Sequence, residues 1–166
     1  MQATIGKHAG TAMEVLMLKQ PGYINWLLDY PACGLLAPMK QEAIRLVNVF
    51  DVKSFADPCT AEGCATYATR MTVYAESVVP MFWCDQCDPY RLGAKPGQLN
   101  VIRTYQQALA HVTNSCYMRK ASYREIVLKM AHAKGLSDRV GVREAEAFFN
   151  QGKSVGIETL SAEYLM

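Results

Sequence analysis

Two pairs of cysteines, Cys59 with Cys64 and Cys84 with Cys87, flank a strand-rich stretch in the middle of the chain. Cys84-Asp85-Gln86-Cys87 is a tight knuckle that lets two thiolates grip one tetrahedral ion, and Cys59 to Cys64 is a looser one in which Gly63 turns the backbone. Four thiolates at about 2.3 Å satisfy Zn²⁺ and leave no coordination position open, so the expected site is structural. On this reading a metal, not a large apolar core, holds the central third together. Disulfides or ordinary buried thiols are the alternative. Met1-Gln2-Ala3-Thr4 leads into Lys7 and His8 without the apolar run of a secretory leader, so a cytoplasmic location is expected (host cytoplasm if phage-encoded). Disulfides are rare there, and the paired spacing favours metal. Cys33 and Cys116 stand alone and are expected to act as small buried hydrophobes.

The composition is globular: 51% of 166 residues are hydrophobic, and no apolar run reaches the ~18 residues of a membrane span. The net charge of +2 implies no nucleic-acid partner by itself, but its distribution is uneven. Across positions 119–143, Arg119, Lys120, Arg124, Lys129, Lys134, Arg139 and Arg143 face only Glu125 and Asp138. Such a local excess is what a phosphate-facing patch needs, although a solvated helix face has the same look.

The patterning divides the chain into a small helical N-terminal module (1–50), a central zinc-ribbon β-hairpin with four cysteine ligands (51–97) and a C-terminal helical segment (98–166), an α+β fold. In the first part a short strand at Ala3–Ile5 and a glycine-bracketed turn precede a helix opened by a Thr11/Glu14 capping box, with Met13, Leu16 and Met17 on one side. Pro21-Gly22 breaks it. A second helix carries Tyr23, Trp26, Leu27 and Tyr30 at helical spacing, and a third runs from Pro38 to Phe50 with Ile44, Val47 and Phe50 inward. In the second part, strands over 66–75 and 78–83 meet at a Glu76-Ser77 turn. An isolated hairpin is marginal in water, so metal ligation supplies what is missing. Asp85 and Asp88 make the second knuckle acidic, which argues against the metal tip gripping phosphate. In the third part, one helix is expected from Gln98 to Thr113 with Ile102, Tyr105, Leu109 and Val112 buried. A second, opened by a Ser122/Glu125 capping box, buries Tyr123, Ile126, Val127 and Met130 and stops at Gly135. A last helix over 142–150 is followed by Gly152 and a tail. The connection at 135–141 is long for a helix-turn-helix, and Glu144 and Glu146 suit a phosphate-lined groove poorly, so an ordinary helical hairpin fits better.

Gly6-Lys7-x-x-Gly10, a short helix, and Pro21-Gly22-Tyr23-x-x-Trp26-Leu27-Leu28 together resemble the C-terminal domain of exodeoxyribonuclease X and related small bacterial and phage proteins. Thr11 stands where that family often has a basic residue, and Gln20 where it often has an acid. The resemblance implies an accessory domain of nucleic-acid enzymes and brings none of the nuclease's metal-binding carboxylates. Read from the residues alone, Lys7 and His8 on a tight turn can meet phosphate and Tyr23 and Trp26 can stack on bases, or the two aromatics are simply core.

No His-Glu-x-x-His, Walker loop, Gly-x-Ser-x-Gly or carboxylate cluster occurs. The expected function is therefore a non-catalytic, zinc-containing accessory protein that binds nucleic acid, DNA before RNA, through Lys7, His8, Tyr23, Trp26, Arg119, Lys120, Arg124, Lys129 and Arg139. A second reading is a protein-interaction module that inhibits or redirects a host enzyme through acidic ribbon edges and exposed Phe82, Trp83 or Tyr90. A third is a small metal-dependent nuclease.

Overall fold

The computed structural model describes residues 1–31, 33–117 and 119–150, so the tail expected after Gly152 lies outside the described residues. Among these residues the chain forms six α-helices and one three-stranded antiparallel sheet, an α+β fold. The helices are α1 (Met13–Lys19), α2 (Pro21–Asp29), α3 (Leu36–Val52), α4 (Tyr105–Ser115), α5 (Lys120–Ala133) and α6 (Val142–Asn150). The strands are β1 (Arg70–Tyr74), β2 (Met81–Trp83) and β3 (Leu99–Ile102), in the order β2-β1-β3. No described helix is long and apolar enough to cross a membrane.

One apolar core runs from Ala3 to Phe149 and takes side chains from all six helices. At its centre Phe50 packs edge-on to Tyr105 at 5.2 Å and lies 6.0 and 6.5 Å from Phe148 and Phe149. The fully buried Tyr105 donates its hydroxyl to the Met17 carbonyl at 2.7 Å, tying α4 to α1 and satisfying a carbonyl that burial would otherwise orphan. Pro21 opens α2 at the first helical position, where a missing N–H costs nothing. It therefore ends α1 and starts the next helix in one step.

β1 is the central strand and is buried on both faces. Met71 and Val73 point into the helical core, while Thr72 faces the other way and accepts a 2.8 Å hydrogen bond from the Trp83 indole. β2 pairs with it from Arg70↔Trp83 to Thr72↔Met81, as the expected hairpin requires, although both strands are shorter than their sequence spans.

Several expectations change. Residues 99–102 form β3, registered from Met71↔Ile102 to Tyr74↔Leu99, where one continuous helix was expected. Ile102 is buried as anticipated, but on a strand, because β1 offers a free edge and Thr104 starts the helix afresh. Thr104 and Gln107 form the capping box of α4, and Asp51 also accepts from the Tyr105 amide at 2.7 Å. Neither expected capping box forms. α1 is capped at Ala12 without a side-chain bond, and Glu14 is buried with its carboxylate 3.8 Å from the Met1 nitrogen. α5 begins at Lys120, which puts Ser122 inside the helix, and Glu125 pairs instead with Lys129 at 2.6 Å. Ile44 is 44% exposed instead of inward. α6 packs on α1 and α3, so it does not form a hairpin with α5.

Candidate functional site

The two knuckles meet at the end of the β1–β2 pair. The Sγ atoms of Cys59, Cys64, Cys84 and Cys87 all lie within 4.8 Å of one another, and Cys64 and Cys84 are 3.9 Å apart. A tetrahedron with 2.3 Å metal–sulfur bonds has edges of about 3.8 Å, whereas a disulfide needs about 2.05 Å. All six cysteines are free thiols. The donor set and spacing therefore fit one tetrahedral metal ion with no open position.

Backbone bonds hold the ligands in place. Gly63 takes the left-handed conformation (φ 74°) that turns the first knuckle, and the Cys64 amide closes onto Ala61. Thr60 clamps that knuckle to β2, its amide donating to the Phe82 carbonyl at 2.7 Å and its hydroxyl accepting from the Phe82 amide at 3.0 Å. The Cys59 amide reaches the Thr66 carbonyl at 2.9 Å. Hydrogen bonds from the Thr66 backbone and hydroxyl draw the Cys64 thiol down to about 7, while contact with Cys84 pushes Cys87 up to about 12. Four sulfurs this close cannot all ionise unless a cation shares their charge.

The acids beside the ligands are neutralised, which the sequence did not show. Asp85 accepts from the Thr69 hydroxyl at 2.8 Å and from Arg103 at 3.0 Å, with Arg70 at 3.7 Å, and these partners lower its carboxyl below the ordinary value. Arg70 also donates to the Cys87 carbonyl at 2.8 Å. Asp88 caps the Tyr90 amide and lies 3.9 Å from Arg91. Of the three aromatics that suit a protein partner, Trp83 is buried and Phe82 half-buried against the core; Tyr90 alone stays exposed.

Compared with known proteins, the chain matches no family model, no curated protein and no solved structure.

A second cluster lies on the helical body. Lys7 sits exposed on the 3₁₀ turn Gly6–His8, and the His8 ring lies 4.8 Å from Tyr23. Burial, then the charge of Lys7, lowers the His8 pKa. Tyr23 and Trp26 are stacked at 5.5 Å, and Trp26 and Tyr30 lie 5.0 Å apart. Only part of this row is surface: α2 buries Pro21, Ile24 and Leu27, Tyr23 is half-buried against the core, and Trp26 and Tyr30 are 44% and 40% exposed. At the Tyr23 end, Lys7, Lys19 and Lys120 line a cleft of about 200 Å³ with the first turn of α2.

The basic residues expected along 119–143 part company. Arg119, Lys120 and Arg124 are exposed at the start of α5, where Lys120 reaches the cleft and the Arg119 guanidinium lies 6.0 Å over Tyr117. Lys129 is engaged with the Val78 carbonyl at 3.1 Å and with Glu125. Lys134 is 7% exposed, its ammonium bound to the carbonyls of Asp51 and Lys53 and held 4.8 Å over Phe55. Arg139 is exposed beyond the far end of α5, about 20 Å of helix from Lys120. Sequence reasoning missed Lys19 and Tyr30 as members of this surface; Tyr30 continues the stripe of Tyr23 and Trp26, so its spacing was a usable signal.

Of the lone cysteines, Cys116 is buried as expected and only Cys33 differs. Cys33 is exposed. Cys116 is buried, with Sγ 3.5 Å from His111 Nε2, and His111 Nδ1 lies 2.9 Å from Asn100 Nδ2. That grouping has the residue types of a cysteine nucleophile, its base and an orienting amide, but it is wired otherwise. His111 Nε2 lies 2.7 Å from the Ser77 carbonyl, which only an N–H can approach so closely, so Nε2 carries the proton and Nδ1 accepts from Asn100. No lone pair is left for the thiol, and burial raises the Cys116 pKa. The cluster anchors the 76–78 turn to α4. His132 likewise bonds locally, Nδ1 to the Leu136 carbonyl at 3.0 Å.

Proposed function

We propose that this chain is a nucleic-acid-binding accessory protein whose cysteine corner holds a structural zinc ion. The observation that carries the binding role is the row of aromatic rings from Tyr23 to Tyr30 running out from a cleft lined by three lysines. Cations beside stacking surfaces are the two elements that non-specific nucleic-acid binding needs. The same residues carry the resemblance to the exodeoxyribonuclease X C-terminal domain: Gly6 to Gly10 form the turn, and Pro21 to Leu28 form the aromatic helix. Zinc is the ion that four thiolates in a closed tetrahedron suit. Its place is to lock the first knuckle onto β2, and the four ligands leave it no open position for chemistry. Among the described residues this is the one group of three or more His, Cys, Asp or Glu side chains whose ligand atoms converge, so the nuclease reading has no carboxylate cluster to rest on.

Two measurements on one preparation test this function. Elemental analysis is expected to find one zinc per chain. Titration into labelled DNA is expected to show binding at low salt that weakens steeply as salt rises. Zinc-free folded protein overturns the first part, and absence of binding at low salt overturns the second.

A further inference from the structure

α2 divides sharply between its faces. Ile24 and Leu27 are completely buried, whereas Trp26 and, at the C-cap, Tyr30 are exposed, and Tyr23, half-buried against the core, stacks on Trp26 and continues their row at i, i+3 and i+7. Cations stand at both ends of this aromatic stripe. Lys7, Lys19 and Lys120 line the cleft beside Tyr23, together with the N-terminal turn of α2, whose dipole adds positive potential. At the other end Lys40 donates to the Tyr30 carbonyl at 2.7 Å, which puts its ammonium at the C-terminal end of α2. No acid lines the cleft.

From this arrangement we infer that the stripe is a binding site for single-stranded nucleic acid, with bases stacked on Trp26 and Tyr30 and backbone phosphates at the lysines of either end. The inference rests on the nucleic-acid reading above and deepens it. In a duplex each base hides both faces against its neighbours and offers only its edges in the grooves, so rings on a convex helix cannot stack on it. A single strand offers its faces freely, and each base–aromatic stack is worth about 1–3 kcal/mol. Lysines alone would take duplex and single strand alike; the aromatic stripe makes the difference. From Tyr23 to the C-cap Tyr30 the row spans about 11 Å, room for about three stacked nucleotides.

Trp26 supplies its own reporter. The chain has two tryptophans, and Trp83 is buried with its indole bonded to Thr72, so quenching by a bound strand falls on Trp26. The probes are oligothymidylate and oligouridylate of about ten nucleotides and a DNA duplex of equal length, titrated at low and moderate salt. Single strands are expected to bind about tenfold or more tighter than the duplex and to quench the emission that Trp26→Phe changes. Trp26→Ala should weaken single-strand binding about tenfold and leave duplex binding alone, while Trp26→Phe restores most of it. Lys19→Ala and Lys120→Ala should weaken both and each lower the salt slope by about one. Both variants of Trp26 lie on the surface, and circular dichroism checks that they fold. A preference for thymidylate or uridylate identifies DNA or RNA as the source of the strand, and either supports the site. Equal affinity for duplex and single strand, or single-strand affinity indifferent to Trp26→Ala, overturns this site while leaving nucleic-acid binding elsewhere on the surface. Binding to neither probe at low salt overturns both.

Discussion

Around Phe50 the chain buries side chains from all six helices, whereas around Cys84 it buries only Cys59 and Trp83, with Ala61, Cys64, Met81 and Cys87 packed partly against them. The first region has enough apolar contact to hold itself together. The second does not, and its position depends on a few backbone bonds to β2 and on whatever the four thiols bind. β1 belongs to both regions: Met71 and Val73 sit in the large core, while Thr72 braces Trp83 at the small one. A metal ion held by the four thiols would therefore organise a corner of the molecule, since Met71 and Val73 of the central third already belong to the large core. Stability and metal occupancy become separable properties, and each can be attacked alone.

The heaviest blow should come from the helical side. Phe50→Ala removes a fully buried ring that touches Tyr105, Phe148 and Phe149, and a large-to-small change of this kind costs about 3–5 kcal/mol. For a chain of this size that lowers the melting temperature by roughly 10 °C. Zinc content after purification should be unchanged, because the knuckles are held by β2. Loss of metal along with stability would show that the two regions form one cooperative unit.

The reverse experiment removes the metal. A strong chelator, or Cys84→Ser, should shift Trp83 emission toward that of an exposed indole while the far-ultraviolet circular dichroism keeps its helical signal. The fall in melting temperature is expected to be smaller than for Phe50→Ala. Complete loss of helical signal on chelation would break the comparison, since the body would then need the ion.

The metal corner was legible in the sequence because knuckle spacing is local: Cys84 and Cys87 are three residues apart, and Gly63 marks the turn of the other pair. The buried stripes of α4 and α5 were legible for the same reason, whereas on α3 Val47 and Phe50 were placed correctly but Ile44 was not. What escaped depends on distant partners. Leu99 to Ile102 has apolar content for either element, and only the open edge of β1 makes it a strand. The aromatic stripe of α2 reads equally as core or surface until Ile24 and Leu27 are seen to fill the inward face. Lys19, Lys7 and Lys120 are scattered along the chain and meet only because α1, α2 and α5 pack together. Charge runs misled in the opposite direction, since Lys134 points into the core and Lys129 is tied to the Val78 carbonyl.

The smallest effects should come from the arginines that join β1 and β3 to the second knuckle. Arg103 and Asp85 are both substantially exposed, so Arg103→Ala should change global stability by less than about 1 kcal/mol. Arg70 is better shielded and donates to the Cys87 carbonyl, so Arg70→Ala removes about 1 kcal/mol from the corner itself. The sharper readout is kinetic: release of zinc to a chromogenic chelator should quicken several-fold in Arg70→Ala, less in Arg103→Ala, and not at all in Arg91→Ala, whose partner Asp88 lies 3.9 Å away on the rim. That ranking follows from which arginine touches a ligand-bearing backbone. Equal release rates in all three would mean that the clamp of Thr60 on Phe82 and the bond from Cys59 to Thr66 hold the ligands unaided.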